Sequence, residues 1–178
     1  ENMIKITRLN AVTSWNRALN AARRTVGKSE LKKEPSDSWK AKMLLAEHSP
    51  IRLVEYEWTW EQIPQWVTVH FTRHHIGCEK FVHTQRPDRT GSQIPRGEHL
   101  QGELNEMDMT ANAQEIMAIS RVRLCNCASK ETREAWTAML QELKKIDPVL
   151  VSKCVPTCVY RGFCPELKCC GYANTHQR

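Results

Sequence analysis

Apolar residues recur along the chain with two distinct periods. From Ser14, a residue type suited to capping, Trp15, Ala18, Leu19 and Ala22 follow at helical spacing, and Gly27 stops the run. Lys28–Ser38 is a polar connection. A second helix is predicted from Ser38 with Trp39, Met43, Leu44 and Ala46, ending at His48-Ser49-Pro50 because the residue before proline avoids helical geometry. The period then changes. Ile51–Trp60 alternates, with Val54, Tyr56, Trp58 and Trp60 on one face and Glu55, Glu57 and Thr59 on the other, which predicts a strand. Helical spacing returns after Pro64, through Ile63, Val67, His70, Phe71 and His74, with Gly77 as the exit. Lys80–Thr84 is a short second strand. Pro87–Gly102, rich in glycine, proline and polar residues, predicts a mobile loop. Two helices follow, over 110–124 and over Glu131–Ile146; the second has Ala135, Trp136, Met139, Leu140 and Leu143 as its buried stripe and Asp147-Pro148 as its stop. The chain beyond Val149 is irregular and rich in cysteine.

Strands interspersed with helices predict an α/β (α+β) class, with a central sheet flanked by helices. A single domain over 1–150 carries a cysteine-rich extension over 151–178. A length of 178 residues, 40% of them hydrophobic, suits one domain with a real core. No apolar run is long enough to cross a membrane. The start lacks the apolar core of a signal peptide. Met3 reads as the native first residue, and the expected setting is cytoplasmic, in the host if the chain is phage-encoded. The net charge of +6 suits nucleotides and phosphorylated cofactors as well as nucleic acid, or simply a solvated basic surface.

Two basic clusters stand close in sequence. Arg73, His74 and His75 end the third helix; Thr84, Gln85, Arg86 and Arg89 follow the second strand. A guanidinium fork holds two anionic oxygens at once, so both clusters are candidates for phosphate groups. Each has a plainer reading. Arg73 and His74 offset the negative end of a helix, Arg86 and Arg89 form an exposed basic turn, and Arg123 extends an aliphatic stem to water. Cys154, Cys158, Cys164, Cys169 and Cys170 are spaced C-x3-C-x5-C-x4-C-C. A structural zinc ion on Cys154, Cys158, Cys164 and Cys169 stands beside unpaired thiols as the reading of that pattern.

In order along residues 40–150, these pieces resemble the flavin-dependent thymidylate synthase family (ThyX), as a divergent phage-type member. The family signature is R-H-R, a spacer, a serine and a further arginine. Arg73-His74-His75 stands for its first part and Thr84-Gln85-Arg86 for its second, with a single-residue insertion. His48-Ser49-Pro50 resembles the entry to the family's first sheet strand. Asn112 and Arg123 fall at the spacing of residues that serve flavin and the uracil ring, and Ala128–Glu134 resembles the segment A-Q-x-E-I-R. His75 replaces an arginine, Thr84 or His83 a serine, Pro87 a tyrosine, and Leu53 a common flavin-contacting histidine.

The resemblance implies a ThyX-like fold with a central mixed sheet. It also implies a homotetramer whose active sites form between subunits, and methylation of dUMP to dTMP with methylenetetrahydrofolate, FAD and NADPH. It assigns Arg123 and Thr84 to catalysis. Arg73, His74, His75 and Asn112 go to FAD, and Thr84, Gln85, Arg86, Arg123 and His70 to dUMP. Two other readings are weighed beside it. One is a protein of the same fold that binds a nucleotide or modifies another pyrimidine without flavin chemistry. The other is a basic, zinc-stapled nucleic-acid-binding protein, disfavoured because most tryptophans fall on apolar faces.

Overall fold

The alternation of Tyr56, Trp58 and Trp60 organises the molecule. In the computed structural model, which describes residues 4–175, these side chains lie buried on one face of strand β2 (Glu55–Pro64). Met3 lies outside the described residues. Strand β4 (Leu104–Asn112) pairs with β2 so that Trp58 faces Met109, Trp60 faces Met107 and Tyr56 faces Ala111, all buried on the same side. Strand β1 (Lys5–Ala11) flanks β2, and β3 (Cys78–Val82) flanks β4, giving the order β1-β2-β4-β3.

The sheet-and-helix class expected from sequence holds. All three ladders are antiparallel, so the sheet is antiparallel rather than mixed as expected. Helix α3 (Gln65–Thr72) carries the chain from β2 to β3. The second expected strand moves from Lys80–Thr84 to Cys78–Val82, and the first splits into a 3-10 turn at Ser49–Leu53 and β2 proper.

Helices cover one face of the sheet. Helix α5 (Ala113–Arg123) starts three residues later than the sequence predicts. The Asn112 side chain accepts the Glu115 amide at 3.0 Å and fixes the start, while residues 110–112 complete β4. Helix α6 (Lys130–Leu143) is capped by Ser129 and buries the expected stripe, with Thr132 added. Trp136 of α6 sits among Trp58, Trp60 and Phe71, with ring centroids 5.8–6.2 Å away. Its indole donates to Ser120 Oγ at 2.8 Å, and the Trp60 indole donates to the Ala135 carbonyl at 2.8 Å, so two of these buried ring N–H groups are satisfied. The opposite face presents Arg8, Glu57, Thr59, Asp108 and Phe81, with Phe81 exposed.

Helix α1 (Trp15–Arg24) buries Trp15, Ala18 and Leu19 as expected; helix α2 (Asp37–Leu45) is capped by Ser36 rather than Ser38. The 87–102 stretch holds one helical turn, α4 (Pro87–Thr90), and a 3-10 turn at Arg96–Glu98. Past Asp147 the chain forms three short helices, α7 (Pro148–Val151), α8 (Thr157–Arg161) and α9 (Tyr172–Thr175). Among the described residues, no helix is long and apolar enough to cross a membrane.

Candidate functional site

The chain reverses after α3 because Gly77 adopts φ +69°, a left-handed conformation that glycine takes without strain. The turn brings the end of α3 against the β4–α5 junction. The Asn112 amide donates to the Gly77 carbonyl at 2.9 Å, and its side chain packs directly over the glycine. A Cβ at Gly77 would stand 2.4 Å from Asn112 Nδ2. Gly77→Ala is therefore expected to strain the turn and displace the cap, costing about 2 kcal/mol. That corresponds to a fall of about 4–8 °C in the melting temperature, read by calorimetry.

Arg123, in the last turn of α5, reaches back to α3. Its Nε donates to His74 Nε2 at 3.1 Å, and its terminal nitrogen donates to the His70 carbonyl. These bonds define the state of His74. An accepting Nε2 carries no proton, so the ring is neutral with its proton on Nδ1, which faces Glu115 Oε1 at 3.6 Å. Both of those side chains are largely buried.

His70 is defined from its other side. Ser129 Oγ donates to Thr132 Oγ1 at 2.7 Å, and His70 Nδ1 lies against the same hydroxyl, also at 2.7 Å. Its surroundings favour a neutral His70. Burial, then the charges of Arg123 and Arg73, hold its pKa below the usual histidine range. Burial and Arg73 likewise pull the Arg123 guanidinium below its ordinary value. Arg73 is exposed at the C-cap of α3 and makes no ion pair among the described residues. Two guanidiniums and two neutral imidazoles thus share one corner with a single carboxylate, an arrangement that favours an anionic ligand.

Of the residues expected from sequence, the structure gathers His70, Arg73, His74, Asn112 and Arg123. His75 stands exposed at the rim. Thr84, Gln85 and Arg86 are elsewhere. They follow β3, whose five residues at about 3.3 Å each separate the two groups by roughly 17 Å. There Thr84 Oγ1 accepts the Arg86 amide at 3.2 Å, and Arg86 is engaged by Asp88 at 3.1 and 2.7 Å. The two basic clusters, close in sequence, stand at opposite ends of β3.

Sequence reasoning missed Glu115, Thr132, Ser129 and Lys80, whose ammonium donates to the His74 carbonyl. Glu115 had a readable signal: it stands three residues after the cap Asn112, where a carboxylate is favoured. Thr132 had none, because its role depends on how α6 packs against α3.

The cysteines regroup. Cys154 is buried, its thiol donating to the Leu150 carbonyl at 3.5 Å, and burial pushes its pKa up to about 12. Among the described residues, the donors close enough to share a metal are Cys125, Cys127 and Glu166, none of them in the expected set.

Residues 104–149, from β4 to the start of α7, match the family model described as Thy1, thymidylate synthase complementing protein. No curated protein matches the chain in sequence. Among solved structures, the chain is similar to thymidylate synthase X (ThyX) from Helicobacter pylori with FAD and dUMP. That match has a TM-score of 0.66 at 11% identity, covering 86% of this chain and 98% of the other. A second structure, of flavin-dependent thymidylate synthase ThyX from Helicobacter pylori complexed with FAD and dUMP, gives 0.69 at 12% identity, covering 86% and 99%. The chain has the fold of the ThyX structures, and the stretch that matches the family model carries both Asn112 and Arg123.

Proposed function

We propose that this chain is a flavin-dependent thymidylate synthase, methylating dUMP to dTMP with methylenetetrahydrofolate as carbon donor and NADPH as reductant, in the cytoplasm. The observation that carries the reading is the corner where Arg73, His74, Asn112 and Arg123 meet. They lie in the order and in the fold that the resemblance requires. The residues suit FAD: Arg73 and His75 offer exposed donors for a pyrophosphate, beside the turn that Gly77 and Asn112 hold. FAD, when bound, supplies the reducing equivalents.

The protein's own part is orientation and charge. Arg123 spends two of its N–H groups on His74 and the His70 carbonyl, which fix the guanidinium plane. Its remaining N–H groups suit pyrimidine oxygens, where they would stabilise negative charge developing on the ring. The strand between the Arg73 and Thr84–Arg86 groups supports a site shared between copies of the chain. In that reading Arg86 from one copy holds the dUMP phosphate beside Arg123 of another, and the helix-free face of the sheet offers the contact for a homotetramer.

The test is the visible spectrum of the purified protein together with a dUMP-dependent assay for dTMP. Flavin bands and dTMP formation are expected. A colourless protein that takes up no FAD and forms no dTMP would refute the reading. One observation favours a flavin-free nucleotide-binding variant: His75 and Pro87 stand where the family has an arginine and a tyrosine. Thermal stabilisation by dUMP or dCMP but not by FAD would select that variant. The nucleic-acid reading loses its aromatic support, because Trp15, Trp58, Trp60 and Trp136 are core residues and Trp39 and Trp66 pack against them.

A further inference from the structure

The loop between α5 and α6 carries Cys125 and Cys127, and it is held in place. Arg133 donates to the carbonyls of Asn126 at 3.0 Å and Ala128 at 2.6 Å. The C-terminal tail lies against this loop, tethered where Thr157 Oγ1 donates to the Arg121 carbonyl at 2.8 Å. Where they meet, the donor atoms of Cys125, Cys127 and Glu166 all lie within 4.8 Å of one another. Cys170 is not one of the three, but the tail brings it to the same loop. Cys170 Sγ accepts from Asn126 Nδ2 at 3.7 Å. Cys125, Glu166 and Cys170 line a cavity of about 10 Å³, room for one water or one ion.

The surrounding tail has little else to order it. Residues 162–171 contain no helix or strand, and Phe163 and Leu167 are exposed. A segment that buries so little apolar surface needs another source of stability. Thiolates with one carboxylate match the preference of zinc, which takes four such donors in a tetrahedron.

We propose that Cys125, Cys127 and Glu166 bind a structural zinc ion, with Cys170 of the adjoining tail drawn in as the fourth donor, and that the ion fastens the C-terminal tail to the α5–α6 loop. The site is independent of the flavin corner, although Cys125 lies only two positions beyond Arg123. Binding releases the protons of three thiols, and no electron transfer is involved.

The full-length protein, purified under reducing conditions from zinc-supplemented cells, is expected to carry one zinc per chain by elemental analysis. Cobalt substitution should give a thiolate-to-metal charge-transfer band. The double variant Cys125→Ser/Cys127→Ser, and separately Cys170→Ser, should lose the metal and open residues 162–171 to limited proteolysis, with the sheet core still cooperatively folded. Cys158→Ser should keep the metal. Three results would overturn the proposal: protein free of zinc with its tail still protease-resistant, zinc retained by the double variant, or disulfides at Cys125, Cys127 or Cys170 in alkylated, unreduced protein.

Discussion

Arg123→Ala is expected to lower kcat/KM for dUMP methylation by about 10²–10³-fold, the loss typical of removing one positioned donor to developing charge. Arg123→Lys should recover little. The arginine makes two directed bonds, one from Nε to His74 and one from its terminal nitrogen to the His70 carbonyl. A single ammonium cannot reproduce that fork. The variant should also be visible without any assay. With its donor gone, His74 Nε2 is free to take the proton, and Nδ1 toward Glu115 no longer has to hold it. Nitrogen chemical shifts of the His74 ring should therefore change in Arg123→Ala while those of His99, engaged with Glu103, stay fixed. Unaltered turnover in a well-folded Arg123→Ala protein would remove this residue from the chemistry. Unaltered His74 shifts would remove the hydrogen bond.

The strands that escaped sequence reading did so for local reasons. In β1 the apolar positions run Ile4, Ile6, then Leu9, because a bulge at Arg8, with φ 52°, breaks the alternation. In β4 the alternation is intact, but its buried members are Met107, Met109 and Ala111, residues with helical preference, so the helix was drawn into the strand. β2 was legible because aromatic residues mark its buried face. The stripe of α6 was legible because its period runs unbroken from Ala135 to Leu143.

The site was half legible for a related reason. Residues linked through one turn, such as Arg73 and His74, stay together whatever the fold does. Asn112 and Arg123 entered only through the resemblance, and the structure packs Asn112, at the start of α5, over Gly77 and brings Arg123, in its last turn, back to His74. Thr84 and Arg86 look adjacent to Arg73 in sequence, yet an extended strand intervenes, and a strand carries its ends apart faster than any other element. The cysteine grouping failed similarly: spacing within the tail says nothing about Cys125 and Cys127, which reach it from another loop.

Asp147→Ala should be the most destabilising single change away from the site. The carboxylate is 3% exposed and serves three elements at once. Its Oδ2 accepts the Trp15 indole N–H at 2.7 Å and the Tyr56 hydroxyl at 2.6 Å, and its Oδ1 caps α7 through the Leu150 amide at 2.9 Å. Burial, and then the Asp147 charge, push the Tyr56 pKa far above its ordinary value, so the phenol stays a neutral donor at any working pH. Alanine leaves two buried donors without an acceptor and removes a helix cap. The expected cost is about 3–5 kcal/mol, which urea denaturation would read as a fall in midpoint at unchanged slope. Asp147→Asn should cost less, since one amide oxygen can still accept from Trp15 and Tyr56 while the amide nitrogen faces the Leu150 N–H. The decisive comparison is a cycle with Tyr56→Phe. Removing the hydroxyl first takes away one stranded donor, so Asp147→Ala should be milder by at least about 1 kcal/mol in that background. Additive effects of the two substitutions would mean that the Tyr56–Asp147 bond contributes nothing, leaving the carboxylate's role to Trp15 and the α7 cap.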